Sequence, residues 1–232
     1  MRKRYPIMTT TGVLCLALAT ACGGGSSVNL AKNPTGGPDT PAQSTKTADG
    51  EATAAPEGFK RVGSPANGLT VAVPDSWEAL DLTKDDLEQG LKRSGLSGEA
   101  LRQADQDLQA LVVNKAVWAF DPESRRASRN GFTTNLNGYC QPSAIASADE
   151  LISAATRELE QIRAKVTQSA KLQIGGVEAA RLVYTFPAGG MEVKGTQFYV
   201  PASGKICTVT LSTDQDGKQK LFDRIGMTIR TL

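Results

Sequence analysis

This 232-residue chain has four cysteines and no histidine, which limits the chemistry that it can perform. The cysteines stand at positions 15, 22, 140 and 207. A thiol needs a nearby base to become a strong nucleophile, and histidine is the residue that most often supplies it. Histidine is also the commonest metal ligand and the usual pH switch near neutrality. Composition therefore argues against a catalytic cysteine and against histidine-based chemistry, and we expect no intrinsic catalysis, no cofactor and no metal site.

Cys22 ends a short apolar segment at the start of the chain. Arg2, Lys3 and Arg4 come first, an apolar stretch follows, and the small Thr20 and Ala21 precede the cysteine. The stretch is far shorter than the ~20 apolar residues of a spanning helix, which indicates a secretory signal. The segment resembles a bacterial lipoprotein signal, which implies a signal peptide cut before Cys22, acyl chains such as palmitate on that cysteine, and anchorage at the extracytoplasmic face of the cell membrane. The alternative is an ordinary signal peptide cut at the same bond, which leaves Cys22 a free thiol.

Composition divides the chain into three parts. We predict a signal peptide over 1–21, a disordered tether rich in Gly, Ser, Thr and Pro over 22–57, and one globular domain over 58–232. The tether has too few apolar residues to offset the entropy of ordering, and about 35 such residues span roughly 30–35 Å. Removing residues 1–21 takes away three basic and no acidic residues, which leaves 23 basic and 24 acidic residues and a formal charge of −1. That balance argues against nucleic-acid binding.

Cys140 and Cys207 remain once Cys15 is removed with the signal and Cys22 is acylated. In an oxidising space, an even pair of cysteines on two strands favours a disulfide. Such a bond would stabilise the fold by about 4 kcal/mol in the chain-entropy model. The alternative is two separately buried thiols, which pack as small apolar groups.

Three arginines crowd one predicted loop, namely Arg125, Arg126 and Arg129. Guanidinium groups bind anionic polymers and lipid headgroups, so this loop is a candidate ligand contact. The alternative is a solvated loop, which the neighbouring Asp121 and Glu123 favour. The same two carboxylates are a poor glycosidase pair, because no aromatic platform for a sugar accompanies them.

The two tryptophans, Trp77 and Trp118, lie at the ends of predicted strands. Each could serve as a platform for a ligand. Because apolar Val73 and Phe120 stand near them, we expect both indole rings in the core instead.

Hydrophobic periodicity predicts strands early in the chain, helices between them, and an antiparallel C-terminal third. The predicted strands cover 68–74, 117–120, 132–140, 171–174, 177–186, 191–200 and 205–211. Predicted helices begin at Thr83, at Ser97 and at the Ser147–Glu150 capping box, and a short helix covers 218–225. The inner face of the helix after Ser147 is predicted to carry Leu151, Ala155, Leu159 and Ile162. This order predicts an α+β domain with an antiparallel sheet sandwiched by helices.

Several of these segments resemble the PsbP-like superfamily and, within it, actinobacterial lipoproteins of the LpqN type. The resemblance rests on the 68–77 segment ending in Trp77, on the strand holding Asn135 and Asn137, and on the Gly175–Tyr184 hairpin. It implies an accessory, binding or assembly role without shared catalytic residues.

We therefore expect a monomeric, membrane-anchored lipoprotein that binds an envelope protein or polymer. One alternative is an envelope hydrolase that uses carboxylate or Ser/Lys chemistry. A further alternative is a carrier of a hydrophobic ligand, which needs an apolar cavity of several hundred Å³.

Overall fold

A computed structural model describes residues 54–82, 98, 102, 109–145 and 147–232 of the chain. Ten strands and three helices are defined within these ranges, and residues 109–113 are also helical. The elements are β1 (Phe59–Ser64), β2 (Leu69–Pro74), β3 (Glu78–Asp81), β4 (Val117–Phe120), α1 (Ser124–Ala127), β5 (Asn135–Pro142), α2 (Ala148–Gln161), β6 (Lys165–Ile174), β7 (Val177–Ala188), β8 (Met191–Ala202), β9 (Lys205–Thr213), α3 (Gln219–Gly226) and β10 (Arg230–Thr231).

The strands form two antiparallel sheets. The larger has seven strands in the order β3-β4-β5-β9-β8-β7-β6, and the smaller has three in the order β1-β2-β10. The predicted α+β class and antiparallel sheet are confirmed. The second sheet was not predicted, because β1 and β10 lack a sustained alternation of apolar residues.

One face of the large sheet packs against the small sheet and α3. Alternate residues of β2 point inward, and Leu69, Val71 and Val73 are fully buried there. Phe222 and Ile225 of α3 join the same apolar cluster. Burial of aliphatic and aromatic side chains stabilises each by about 1.5–3 kcal/mol, so this layer holds the two sheets together.

The opposite face of the large sheet packs against α2 over β6 and β7. Leu151, Ala155 and Leu159 of the helix meet Leu182 and Tyr184 of β7. The N-terminus of α2 is capped as predicted, since Ser147 Oγ accepts a hydrogen bond from the backbone N–H of Glu150 at 3.2 Å.

Ile162 corrects the predicted inner face of α2. The helix ends at Gln161, Ile162 is its C-cap residue, and its side chain is exposed. A helical period no longer applies at that position, because Arg163 turns to a positive φ of 61° and redirects the chain.

The β6–β7 hairpin turns at Gly175 and Gly176, as predicted. Their φ angles of 60° and 84° match the two-residue turn that requires left-handed backbone at both positions. The strand before the turn begins at Lys165, six residues earlier than predicted. Its early residues are mostly exposed polar side chains on the sheet's edge, which leaves no apolar alternation to detect.

The segment from Asp121 to Asn130, predicted as a loop, contains the four-residue helix α1. Asp121 starts this turn, since its Oδ1 accepts from the N–H of Glu123 and its carbonyl from the N–H of Ser124. So short a helix has no periodicity to reveal it. The helices predicted to begin at Thr83 and Ser97 lie largely outside the described residues, although Leu111, in the predicted second stripe, is helical and buried.

Candidate binding site

Polar side chains occupy the middle of the large sheet on the same face as α2. Directly opposed residues of antiparallel strands share a face, and three such rows cross β5, β9 and β8. One row pairs Asn135 with Ser212, the next joins Asn137, Thr210 and Gln197, and a third places Thr208 between two tyrosines. We call six of these residues the central polar cluster. They are Asn135, Asn137, Gln197, Thr208, Thr210 and Ser212.

The central polar cluster is buried. Its six side chains are 1–4% exposed. Part of it forms an internal hydrogen-bond chain, in which Tyr199 Oη donates to Gln197 Oε1 at 2.7 Å and Gln197 Nε2 donates to Thr210 Oγ1 at 3.1 Å. Such a chain holds the Gln197 amide in one orientation.

Three oxygens of the cluster have no hydrogen-bond partner. They are Asn135 Oδ1, Thr208 Oγ1 and Ser212 Oγ. Asn135 and Ser212 face each other across β5 and β9, so two of these oxygens lie in one row. A buried polar group without a partner costs about 1–3 kcal/mol, which makes three on one sheet face unusual for a purely structural surface.

Aromatic side chains border the cluster. Trp118 lies opposite Asn137 and Phe120 opposite Asn135, with their rings 5.1 Å apart. The cluster thus presents amides and hydroxyls framed by rings, and its six residues carry no charge. This combination holds hydrogen-bonding groups suited to a neutral partner, and it supplies no strong acid, base or nucleophile.

The sequence alone does not predict this cluster. In β5 and β9, Asn and Thr alternate with apolar residues, which is the pattern of an ordinary strand with one face in water. Only the polar pairing across two neighbouring strands could have indicated it, and register is not visible in one sequence.

Cys140 and Cys207 are joined by a disulfide, as predicted. They are directly opposed on β5 and β9, with Cα atoms 3.9 Å apart. Gly68 packs over this bond at a φ of 74°, and a Cβ there would lie 3.3 Å from Cys140 Sγ. The bond therefore joins the middle of the large sheet on the face opposite the central polar cluster.

The structure places Arg125 and Arg126 in α1 and Arg129 just after it, all three exposed. Arg126 Nη1 pairs with Glu123 Oε2 at 3.0 Å. The loop is fixed from beneath, because Ser124 Oγ accepts from the N–H of Thr134 at 2.8 Å. The three arginines do not join the central polar cluster, and their role as a ligand contact stays a prediction.

The carboxylates are dispersed over separate ion pairs. Asp121 Oδ2 lies 3.7 Å from Lys218 Nζ, whereas Glu123 pairs with Arg126. The two carboxylates therefore belong to different ion pairs. A 2.6 Å hydrogen bond from Lys194 lowers the pKa of Asp216, helped by the charge of Lys194. On another surface, a hydrogen bond to Asp149 raises the pKa of Lys171. These shifts stem from surface ion pairs outside the cluster.

Both tryptophans are 2% exposed, which confirms the prediction that they are buried. Trp77 packs in the layer between the two sheets. Trp118 instead lies beside the central polar cluster, in the row of Asn137.

An open depression of about 590 Å³ lies along the outer side of α2. Ala144, Ile145 and Ala154 line it together with Ser153 and the charged Asp149, Glu150 and Arg157. An open depression with three charged side chains does not suit a hydrophobic ligand, which needs an enclosed apolar cavity.

Cys22, the predicted lipidation site, lies outside the described residues. Among the described helices, none has the length and apolar character that crossing a bilayer requires. The described part of the chain also holds no group of three or more Asp, Glu, Cys or His side chains arranged to bind a metal ion.

No protein-family model matches the chain, and no curated protein matches it either. Solved structures do match it at the level of the chain trace. A cyanobacterial PsbP from Synechocystis is similar with 15% identity and a TM-score of 0.47, over 81% of this chain and 99% of that one. A PsbP protein, from the first of the two groups that the sequence resembles, is thus among the similar structures.

The LpqN type, the second group that the sequence resembles, is also represented among the similar structures. LpqN of Mycobacterium tuberculosis, a protein involved in cell envelope biogenesis, is similar with 15% identity and a TM-score of 0.42, over 75% of this chain and 92% of that one. The Ran-binding protein Mog1p of Saccharomyces cerevisiae is similar with 8% identity and a TM-score of 0.46, over 75% of this chain and 95% of that one. These likenesses concern the chain trace and identify no shared site.

Proposed function

We propose that this protein is a membrane-anchored, extracytoplasmic lipoprotein whose domain binds a neutral, hydroxyl-rich component of the cell envelope without transforming it. The lipoprotein signal around Cys22 supports the location. The central polar cluster supports the binding role and the chemistry of the ligand.

The observation that carries the proposal is the set of unpartnered oxygens of Asn135, Thr208 and Ser212. Buried hydrogen-bonding groups without partners lower stability, and such sites occur where function requires them. The cluster and its bordering rings are 1–4% exposed, so a ligand must first gain access to this face. A saccharide that does so would supply hydroxyl donors for these acceptors and C–H faces for the rings of Trp118 and Phe120. The absence of charge among the cluster's six residues favours a neutral ligand over an anionic one.

Catalysis finds little support in the same site. The chain has no histidine, and the nearest substitutes, paired carboxylates, need to converge in one pocket with unlike pKa values. Several described carboxylates instead lie in separate ion pairs, such as Asp149 with Lys171 and Asp223 with Arg181. The hydrolase alternative therefore lacks an observation that favours it.

The test compares the full chain with a Thr208→Val/Ser212→Ala double variant. This variant removes two oxygens that bond to nothing, so the fold should be retained. Each protein is immobilised, exposed to the solubilised envelope of the producing cell, and washed. The retained saccharides are then identified by mass spectrometry.

We expect the wild type to retain a neutral saccharide and the double variant to lose most of it. Ser153→Ala, an exposed change on α2, serves as the matched control and should behave as wild type. Equal retention by all three proteins would contradict the proposal. Turnover of an ester, peptide, phosphate or glycoside that disappears on mutating one Asp, Glu or Ser would establish the hydrolase instead.

A further inference from the structure

Two arginines lie side by side on the outer face of the small sheet. Arg61 of β1 is opposite Ala72, and Arg230 of β10 is opposite Thr70. Thr70 and Ala72 are two residues apart in β2 and share one face. Both arginines therefore flank β2 on the face that points away from the large sheet.

Hydrogen bonds orient the Arg61 guanidinium toward Arg230. Arg61 Nη1 donates to Thr70 Oγ1 at 3.0 Å and to the carbonyl of Thr228 at 3.1 Å. Since Thr70 is the residue opposed to Arg230, the Arg61 side chain reaches across β2 to its neighbour. Arg230 Nη1 donates only to the adjacent carbonyl of Ile229, at 2.9 Å, among its described hydrogen bonds.

No carboxylate balances this pair among the ion pairs of the described residues. Arg61 Nε is buried and has no hydrogen-bond partner. Partial burial lowers the pKa of Arg61, and the positive charge of Arg230 lowers it further. Two like charges held together without a counter-charge lower the stability of the sheet, and a bound anion would relieve that repulsion.

We propose that Arg61 and Arg230 form a binding site for a phosphate-type oxyanion. The planar guanidinium offers paired N–H donors whose spacing matches two oxygens of one phosphate. Arg61 Nε is such a donor and is not used within the domain. The phosphate can belong to a phospholipid headgroup or be free in solution, since both present the same oxygens. Arg61 lies in β1, the first strand after the predicted tether. It is therefore at the end of the domain that the tether would join to the predicted membrane anchor.

The test uses the full chain, purified in detergent and labelled with ¹⁵N, and follows the arginine Nε–H resonances. One arm adds inorganic phosphate and the other adds glycerophosphoglycerol, a headgroup diester without acyl chains. Total ionic strength is held constant with chloride, because salt screens exposed charges. Arg230→Gln removes one of the two guanidiniums. Arg157→Gln, which removes an exposed arginine on α2, is the matched control.

We expect the Arg61 Nε–H resonance to shift on titration and Arg230→Gln to weaken the affinity by about tenfold or more. Arg157→Gln should change it less than about twofold. Response to the diester alone identifies the headgroup as the source, and response to inorganic phosphate alone identifies the free ion. No shift with either probe at about 50 mM, or equal weakening by both variants, would overturn the proposal. Unchanged thermal midpoints establish that the variants are folded.

Discussion

At the scale of single residues, the central polar cluster contains buried hydroxyls that lower stability and leave hydrogen-bonding capacity unused. Thr208 and Ser212 are almost fully buried, yet their hydroxyls bond to nothing. By contrast, Thr134 and Thr213, on the end of the same sheet, are equally buried and share a 2.8 Å hydrogen bond. The hydroxyls of Thr134 and Thr213 therefore support the fold, whereas those of Thr208 and Ser212 do not.

Thr208→Val should therefore leave the free energy of unfolding unchanged or raise it, because an isosteric methyl replaces an unsatisfied hydroxyl. Thr134→Val should lower it by about 0.5–1.5 kcal/mol, because it breaks a buried hydrogen bond, while Thr213 Oγ1 still accepts from the N–H of Gln215. Urea unfolding of the two variants measures the difference. A destabilised Thr208→Val would show that this hydroxyl has a structural role.

The residues that the sequence identifies correctly are those with local or chemical signals. The disulfide partners and the two buried tryptophans follow from residue type and compartment. Asn135 and Ser212 could not be identified in this way. Their burial depends on which strand lies beside which, and polar residues at alternate positions predict solvent exposure unless that pairing is known.

At the scale of elements, α2 packs over β6 and β7 on the sheet face that carries the central polar cluster. It begins at a capped serine and presents Leu151, Ala155 and Leu159 to the sheet. The cap was predictable because its hydrogen bond joins residues three apart in the chain. The edge strand β6 and helix α1 were predicted less well, because one lacks apolar alternation and the other is a single turn.

Ser147→Ala should lower the free energy of unfolding by about 1 kcal/mol, since it removes the acceptor for the N–H of Glu150. Ser153→Ala, an exposed change within the same helix, should leave it unchanged or raise it slightly, because alanine is the better helix former. Thermal unfolding followed by circular dichroism compares the two. Equal midpoints would show that the cap contributes nothing to α2.

At the scale of the whole molecule, the disulfide and the lipid anchor perform different tasks. The disulfide joins two central strands across 67 residues of chain, on the sheet face that meets β2. The proposed anchor at Cys22 would place the domain at the membrane through the predicted tether. The disulfide stabilises the domain, and the proposed anchor would determine where it works.

Reduction of the disulfide should lower the free energy of unfolding by up to about 4 kcal/mol, because the unfolded chain regains the entropy of the closed loop. Urea titrations with and without a phosphine reductant measure this loss. Cys22→Ser should show the same loss, since it leaves the bond intact. An unchanged urea midpoint on verified reduction would mean that strand pairing alone holds β5 to β9.

Cys22→Ser should also abolish acyl labelling and leave the chain as uncleaved precursor or released protein. Acyl chains contribute about 0.8 kcal/mol per buried methylene, so only an acylated chain holds firmly to the bilayer. Partitioning into the detergent phase measures the anchor, with Cys15→Ser as the matched control in the signal itself. A Cys22→Ser chain that is labelled and partitions as wild type would contradict lipidation at this residue.

The central claim is that the polar middle of the large sheet binds a neutral saccharide of the envelope. Its most direct test follows the side-chain amide resonances of the full chain while soluble saccharides released from the producing cell's envelope are added. We predict selective shifts of the Asn135 and Gln197 amides, with the amides of Asn114 and Asn130 unchanged because they lie outside the cluster. Shifts confined to Asn114 and Asn130, or no shift at Asn135 and Gln197, would contradict the claim.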